Sequence, residues 1–281
     1  MKRESMLPAS MKLSLQTTMP KAADREGREA FETLLEKMEH LGLYGLELNI
    51  PNLEEDIAPE QLQKLLAAHH LKLTYVASGG YAKARELGLS ASDPEVREQA
   101  IEAVLRHMQY AEKMNPECGV IIGTLKGSPE MTGTDAEQQM IASLRKVFVR
   151  SRERGIGLHV PVVLEATNHY ESSVANTLAD TLRIVEAVNE DRLYLMPDTY
   201  HMNIEERDSG RAVRESLSHI RNIHLSDNNR YFPGYGALEF GWIYHQLQYQ
   251  GYTGTYGIEG RIYRSLLEDL EESVEFLENV L

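Results

Sequence analysis

The chain has 281 residues, of which 42% are hydrophobic and 26% charged, with a formal net charge of −14 and one cysteine. This length suits a single α/β barrel, which typically needs ~250 residues. The negative charge repels phosphate backbones, so nucleic acid is not expected as a partner. A single thiol excludes an intramolecular disulfide, and Cys118, beside an apolar run, is expected to be a small buried residue.

The N-terminal residues lack the apolar stretch of a signal peptide. No segment approaches the ~18 uninterrupted apolar residues of a membrane span. We therefore expect a cytoplasmic protein without a membrane partner. Residues 1–281 are expected to form one domain, with residues 1–10 as a loose N-terminal extension.

Strand-like and helix-like segments alternate through the first half of the chain. Predicted strands lie at residues 13–17, 44–48, 71–76 and 119–122, and predicted helices at 28–40, at 59–69 and from 93 onward. Asp93 can cap the third of these helices and Pro94 can occupy its first turn. Its apolar residues then recur at the three-four spacing of a helix face.

The alternation continues to the end of the chain. Predicted helices at 135–149, 178–188, 212–217, 242–249 and 266–280 alternate with strands at 159–165, 193–198, 220–225 and 255–259. Eight strand–helix pairs predict a parallel sheet closed into a single (β/α)8 TIM barrel. An open doubly wound sheet is the alternative, but it usually has a glycine-rich turn after the first strand, where this chain has Thr17 to Pro20.

Four potential metal ligands, Glu165, Asp198, His224 and Glu259, stand at the ends of the last four predicted strands. They are separated by 33, 26 and 35 residues, each close to the length of one βα unit. The carboxyl ends of all strands in a parallel barrel open on one mouth, so these side chains are expected to meet there. One acidic residue after a strand is usually a helix cap or a solvated charge, whereas four in consecutive units indicate a site.

This combination of side chains predicts a site for one divalent metal ion. Three carboxylates brought together without a cation would repel one another. Oxygen-rich ligation with one imidazole favours Mn²⁺, suits Mg²⁺ or Co²⁺ as well, and suits Zn²⁺ less because thiolates are missing.

Three further polar residues follow the ligands closely: Glu171, His201 and Arg230. Each alone would be ordinary in an exposed loop. Together, a carboxylate, an imidazole and a guanidinium around a metal could hold a polyhydroxyl or carbonyl substrate.

The second half of the chain, over roughly residues 159–261, resembles the xylose-isomerase-like barrels. Within them it is most similar to the ketose 3-epimerases, or D-tagatose 3-epimerase group, with hydroxypyruvate isomerase as a relative. The motifs that carry the resemblance are Leu164-Glu165-x-x-Asn168-x-Tyr170-Glu171, Asp198-Thr199-x-His201-Met202-Asn203, His224-x-x-Asp227-x-Asn229-Arg230 and Glu259.

The resemblance implies that the four ligands bind the metal and that Glu171, His201 and Arg230 contact a sugar substrate near its C1–C3 end. It also implies that Glu165 and Glu259 act as the acid/base pair, and that the protein is a homodimer or homotetramer.

In such a reaction a proton leaves a carbon beside a ketone and returns to the opposite face, through a cis-enediolate that the metal stabilises. An aldose–ketose or hydroxypyruvate-type isomerase and a keto-polyol dehydratase would begin with the same step, so both remain open. The zinc endonucleases of this superfamily need histidines after the earlier strands, which this chain lacks.

The loops after the first four strands are expected to set substrate specificity, and Glu47 belongs to them. Lys126 is expected to be a surface lysine. If it points into the mouth instead, it would bind the substrate and favour an epimerase of a phosphorylated or acidic keto sugar. Residues 78–80, Ser-Gly-Gly, are expected to form a flexible turn or to offer N–H groups to an anion.

Overall fold

Eight parallel strands form the centre of the computed structural model, which describes residues 6–53 and 56–281. Their order in the sheet is β6-β5-β4-β3-β2-β1-β8-β7, and parallel bridges from Leu195 to Ile220 and from Asp198 to His224 join the two outer strands. The predicted TIM barrel is therefore confirmed. The strands are β1 (Lys12–Thr18), β2 (Gly45–Asn49), β3 (Lys72–Ala77), β4 (Gly119–Ile122), β5 (Val162–Glu165), β6 (Leu193–Met196), β7 (Asn222–Leu225) and β8 (Thr255–Ile258).

Helices surround the barrel, and their caps explain where several of them begin. Asp93 accepts a hydrogen bond from the Glu95 N–H, as predicted, and Thr177 and Asp180 form a reciprocal capping box. The helices are α1 (Arg25–His40), α2 (Pro59–Ala68), α3 (Gly79–Arg85), α4 (Pro94–Met114), α5 (Ala136–Arg154), α6 (Leu178–Val188), α7 (Thr199–Glu205), α8 (Ser209–Ser216), α9 (Phe240–Tyr249) and α10 (Leu266–Val280).

Two short helices were not predicted. Residues 79 and 80 begin α3, so the expected Ser-Gly-Gly turn is a helix start, and the Ser78 hydroxyl donates to the Ile121 carbonyl oxygen. Helix α7 begins directly after Asp198. Both helices are seven residues long, too short for an apolar repeat to be recognised in the sequence.

Apolar side chains fill both layers of the fold. A large core packs between the strands and the helices, and a small cluster lies inside the barrel. Cys118 is buried, as expected, and burial raises the pKa of its thiol. The inner cluster consists of Tyr75, Ala77, Ile121, Val163 and Met196.

Among the described residues, the segment before β1 forms hydrogen bonds with the last two helices. The Met6 N–H donates to Glu278, and the hydroxyls of Ser10 and Tyr244 lie 2.9 Å apart. Residues 6–10 of the predicted extension thus contact α9 and α10, whereas its residues 1–5 lie outside the described residues. None of the described helices combines the length and hydrophobicity needed to cross a membrane.

His107, on α4, gives a prediction about acid stability. It is fully buried, with Nδ1 2.7 Å from the Ala103 carbonyl oxygen, and burial lowers its pKa to about 4. An unfolded histidine has a pKa of ~6.5, so the unfolded chain gains a proton between those values that the folded chain does not. The stability associated with neutral His107 is complete above about pH 6.5 and should fall by about 2 kcal/mol at pH 5.

Chemical denaturation at pH 7 and pH 5 tests this. His107→Gln should lose less free energy of unfolding on acidification than the parent protein, because the glutamine does not titrate. His159→Gln, which removes an exposed histidine, should lose as much as the parent. An equal loss in His107→Gln and the parent would contradict the prediction.

Candidate metal centre

The four predicted ligands converge at the carboxyl end of the barrel. Glu165 is the last residue of β5, Asp198 follows β6, His224 lies within β7 and Glu259 follows β8. One potential ligand atom from each lies within 4.8 Å of the corresponding atom of every other. The His224 Nδ1 atom is near the centre of the group, 2.9 Å from Glu259 Oε2, 3.6 Å from Glu165 Oε1 and 3.9 Å from Asp198 Oδ2.

The Asp198 carboxylate is oriented by the helix that follows it. Its Oδ1 atom accepts a hydrogen bond of 2.7 Å from the Tyr200 N–H and so caps α7. The other oxygen, Oδ2, faces the cluster. The short helix therefore fixes which oxygen of a fully buried carboxylate is available to a metal.

The His224 imidazole is oriented by a carboxylate beneath it. Its Nε2 atom lies 2.7 Å from Glu47 Oε2, and the other Glu47 oxygen accepts a 2.7 Å hydrogen bond from the Asn222 amide. Glu47 therefore holds the Nε2 proton and leaves Nδ1 facing the ligand cluster. Carboxylates commonly orient metal-binding histidines in this way.

Glu47 was expected among the loop residues that set specificity, and the structure corrects this. Its side chain points into the barrel interior and is completely buried. Gly257 on β8 makes room for it, because a Cβ atom there would lie 2.6 Å from Glu47 Oε1. The sequence did contain a signal for this role. Glu47 is the only charged residue in the apolar run Gly45-Leu46-Glu47-Leu48, and β8 carries a glycine at position 257.

The pKa values of the ligands depend on one another. Burial lowers the pKa of His224, but the carboxylates of Glu47 and Glu259 outweigh it and raise that pKa well above the usual value. Burial raises the pKa of Glu259, but Arg230 and His224 outweigh it and hold that pKa well below the usual range. For Asp198, burial dominates and raises the pKa. The cluster thus contains an ionised Glu259 beside a strongly basic imidazole.

Arg230 lies beside the metal ligands. Its guanidinium donates to Asp198 Oδ2 at 2.6 Å and to Glu259 Oε2 at 3.0 Å. Its backbone has a φ of 67°, in the left-handed region that non-glycine residues seldom adopt. The Arg230 N–H donates to the Asp227 carbonyl oxygen at 2.9 Å, which stabilises this turn.

Asp227 organises the loop that carries Arg230. Its buried carboxylate accepts hydrogen bonds from the backbone N–H groups of Asn228, Gly234, Gly236 and Leu238. Asp227, the acidic residue of the His-x-x-Asp-x-Asn-Arg motif, therefore has a structural role. It closes residues 227–238 around one carboxylate and so places the guanidinium over the cluster.

His201 is buried beside the ligands, whereas Glu171 is exposed to solvent. The buried His201 accepts hydrogen bonds at Nδ1 from the Asn168 N–H and its side-chain amide, which leaves the proton on Nε2, 3.9 Å from Glu165 Oε1. Burial lowers the pKa of His201, so the ring is neutral. Glu171 is exposed on the loop after β5.

Lys126 is not a surface residue, and the expectation that it reaches a substrate is also wrong. Its side chain is completely buried, and burial lowers the pKa of its ammonium group to about 7. Nζ donates to the Glu165 carbonyl oxygen at 2.6 Å, to the Thr167 hydroxyl at 2.8 Å and to the Ala175 carbonyl oxygen at 3.1 Å. All three donors are used in fixing the backbone around Glu165, so none remains for a substrate.

Comparison with known proteins places this site in a family. The sequence model described as the xylose isomerase-like TIM barrel matches residues 25–280. The chain belongs to this family. A D-psicose 3-epimerase of Enterocloster bolteae is 25% identical, over 86% of this chain and 84% of the relative. A 3-dehydro-D-guloside 4-epimerase of Escherichia coli is 27% identical, over 82% of this chain and 88% of the relative.

The fold of this family is equally clear in a solved structure. The crystal structure of a D-psicose 3-epimerase with D-tagatose, from Clostridium cellulolyticum, superposes with a TM-score of 0.77. The match covers 96% of this chain and 99% of the other at 22% identity, so it demonstrates a shared fold.

The ligand cluster has the size and chemistry that a divalent ion requires. Oxygen and nitrogen donors bind such ions at about 2.0–2.3 Å, which separates opposite donors by at most about 4.6 Å. The donor atoms here span up to 4.8 Å, so a small inward movement would bring all four to one ion. Three carboxylates and one imidazole suit a hard or intermediate cation.

Replacing Glu47 should weaken metal binding without removing any ligand. Glu47→Gln keeps the volume but loses the charge that holds the His224 Nε2 proton, so we expect metal affinity to fall about 10- to 100-fold. Calorimetric titration with Mn²⁺ measures this, and circular dichroism confirms that the barrel is folded.

Asp269→Asn is the matched control, because Asp269 is a fully buried carboxylate outside the ligand cluster. Its partners are the Tyr263 and Arg264 N–H groups, the Tyr235 hydroxyl and the Arg264 guanidinium. Its metal affinity should equal that of the parent. If Glu47→Gln also kept the parent affinity, Glu47 would have no role in orienting the ligand.

Proposed function

We propose that this protein is a divalent-metal-dependent ketose 3-epimerase that uses Glu165 and Glu259 as its acid/base pair. The observation that carries the proposal is the position of these two carboxylates. They extend from β5 and from the end of β8, three strands apart in a ring of eight, yet both face His224 Nδ1. Relatives named as D-psicose and 3-dehydro-D-guloside epimerases support a reaction of this class.

Epimerisation beside a ketone needs a base on one face of the carbon and an acid on the other. Glu259 is in the ionised form that a base requires, because Arg230 and His224 hold the pKa of its carboxyl well below the usual range. Glu165 suits the opposite face, because β5 lies three strands from β8 in the ring. The Lys126 ammonium fixes its backbone there. Gly123 leaves space for its carboxylate, since a Cβ atom there would clash with Glu165 Oε2.

A divalent ion held by Glu165, Asp198, His224 and Glu259 would stabilise the negative charge that develops on the substrate oxygens. Neutral His201 can donate its Nε2 proton to such an oxygen, and the Arg230 guanidinium adds a fixed positive charge beside it. Glu171, at the exposed edge, would bind a substrate hydroxyl. Because Lys126 is buried and its three N–H donors are used, it does not favour a phosphorylated substrate.

The proposal includes Mn²⁺ as the ion, a homodimer or homotetramer as the assembly, and the cytoplasm as the location. The oxygen-rich donor set supports manganese. Exposed aromatic side chains on α9 support an assembly: Trp242 is 48% exposed and Tyr249 is 91% exposed, whereas Tyr244 packs in the core.

Turnover in D₂O with Mn²⁺ present tests the reaction. A ketose 3-epimerase should introduce one deuterium at C3 with inverted configuration. Glu165→Gln and Glu259→Gln should each lower kcat by at least about 10³-fold, because a neutral amide cannot exchange a proton with carbon. Glu153→Gln, an exposed carboxylate on α5, is the matched control and should retain parent activity.

Other products would identify a different reaction. Deuterium at C1 or C2 with carbonyl migration indicates an isomerase, and loss of water indicates a dehydratase. Inversion at C4 of a 3-keto glycoside would match the activity named for the Escherichia coli relative. Retained turnover in either glutamine variant would remove that residue from the acid/base pair.

Removal of the metal should abolish activity. Exhaustive chelation should inactivate the protein, and Mn²⁺ or Co²⁺ should restore turnover more fully than Zn²⁺, because the site has no thiolate. Undiminished activity in protein shown by elemental analysis to be metal-free would contradict the metal requirement.

A further inference from the structure

A second cavity lies at the opposite end of the barrel from the metal centre. It measures about 760 Å³ and is lined by residues at which strands begin, among them Lys12 of β1, Lys72 of β3 and Thr255 of β8. The metal ligands follow the other ends of the strands. At about 3.3 Å per residue, the four steps from Thr255 to Glu259 separate the two sites by roughly 13 Å. We call this space the basal cavity.

The basal cavity is basic, although the chain as a whole has a formal charge of −14. Four cationic side chains line it, Lys12, Lys72, Arg214 and Arg221, against one acidic side chain, Glu117. Lys72 Nζ lies 3.4 Å from a Glu117 oxygen. Within residues 6–53 and 56–281, the other three cations form no ion pair. Glu117 also attracts Lys12, so one acidic side chain faces four cations and the lining has a formal charge of +3.

Aromatic rings hold several of these cations in place. The Arg221 guanidinium lies 5.1 Å from the ring centre of Tyr194. On the other side, Lys72 Nζ lies 5.1 Å and Lys12 Nζ 6.0 Å from the ring centre of Tyr44. A cation held against a ring loses less conformational freedom when it binds a ligand, and a stacked guanidinium retains N–H groups at its edge.

We propose that the basal cavity binds a small dianionic phosphate ester. Its volume lies within the roughly 300–1,000 Å³ of small-molecule sites. A phosphate dianion would match the excess of positive charge, and arginine binds phosphate oxygens through paired N–H donors. Ser218 and Gln250 also line this space, and their side-chain hydroxyl and amide groups suit the hydroxyls of the esterified portion. The proposal is independent of the reaction at the metal centre.

Calorimetric titration of the Mn²⁺-loaded protein tests the proposal. The probes are glucose 6-phosphate and phenyl phosphate, with glucose and phenol as their neutral counterparts. We expect saturable binding of at least one ester, no binding of the neutral compounds, and affinity that falls with added salt because the contacts are ionic. Arg221→Gln and Arg214→Gln should each weaken the binding about tenfold, as loss of one charged hydrogen-bond donor does.

Arg25→Gln is the matched control, because Arg25 is an exposed arginine on α1 outside the cavity, and it should bind like the parent. Arg214 is itself exposed, so Arg214→Gln remains informative even if Arg221→Gln fails to fold. Equal affinity in the parent and both cavity variants would overturn the proposal, since the ester would then occupy another place such as the metal centre. Absence of saturable binding of either ester up to about 10 mM would overturn it as well.

Discussion

Repulsion among buried carboxylates is the constraint on which the mouth of this barrel depends. Four acidic side chains surround His224, namely Glu47, Glu165, Asp198 and Glu259. The Arg230 guanidinium balances one of these formal negative charges, and an imidazole that binds a metal through Nδ1 is neutral. The remaining charge of −3 is reduced to −1 by a divalent cation. The acidic surplus thus explains both the need for a metal and the chemistry that the metal would support.

Much of the surrounding structure is devoted to keeping these charges in place. Helix α7 directs one oxygen of Asp198, the Asp227 loop places Arg230, and Lys126 fixes the backbone of β5 behind Glu165. Gly257 leaves the space that Glu47 requires. Each of these contacts restrains a charged side chain that would otherwise move away from its neighbours. A preorganised acidic site of this kind is costly to fold but needs little reorganisation when it functions.

The barrel and its ligand quartet could be predicted because both follow from repetition. Alternating strand and helix patterns specify a parallel sheet, and a parallel sheet brings Glu165, Asp198, His224 and Glu259 to one end. The supporting residues do not repeat. Glu47 is a single charge inside an apolar strand, and nothing local shows whether such a side chain points into the barrel or toward a helix. Lys126 follows β4 like any loop lysine, and only the three oxygens that surround it in the fold make it a buried residue.

The hydrogen bonds beneath His224 continue to the other end of the barrel. Glu47 accepts from the side-chain amide of Asn222, and the side-chain oxygen of Asn222, Oδ1, accepts from the Thr255 hydroxyl at 2.6 Å, at the edge of the basal cavity. The residues that would choose a sugar lie above the ion, whereas the row that orients its imidazole ligand lies below. Substitutions in the upper loops can therefore change sugar preference without touching the metal ligands, whereas a substitution at Glu47, Asn222 or Thr255 reaches the ion through His224.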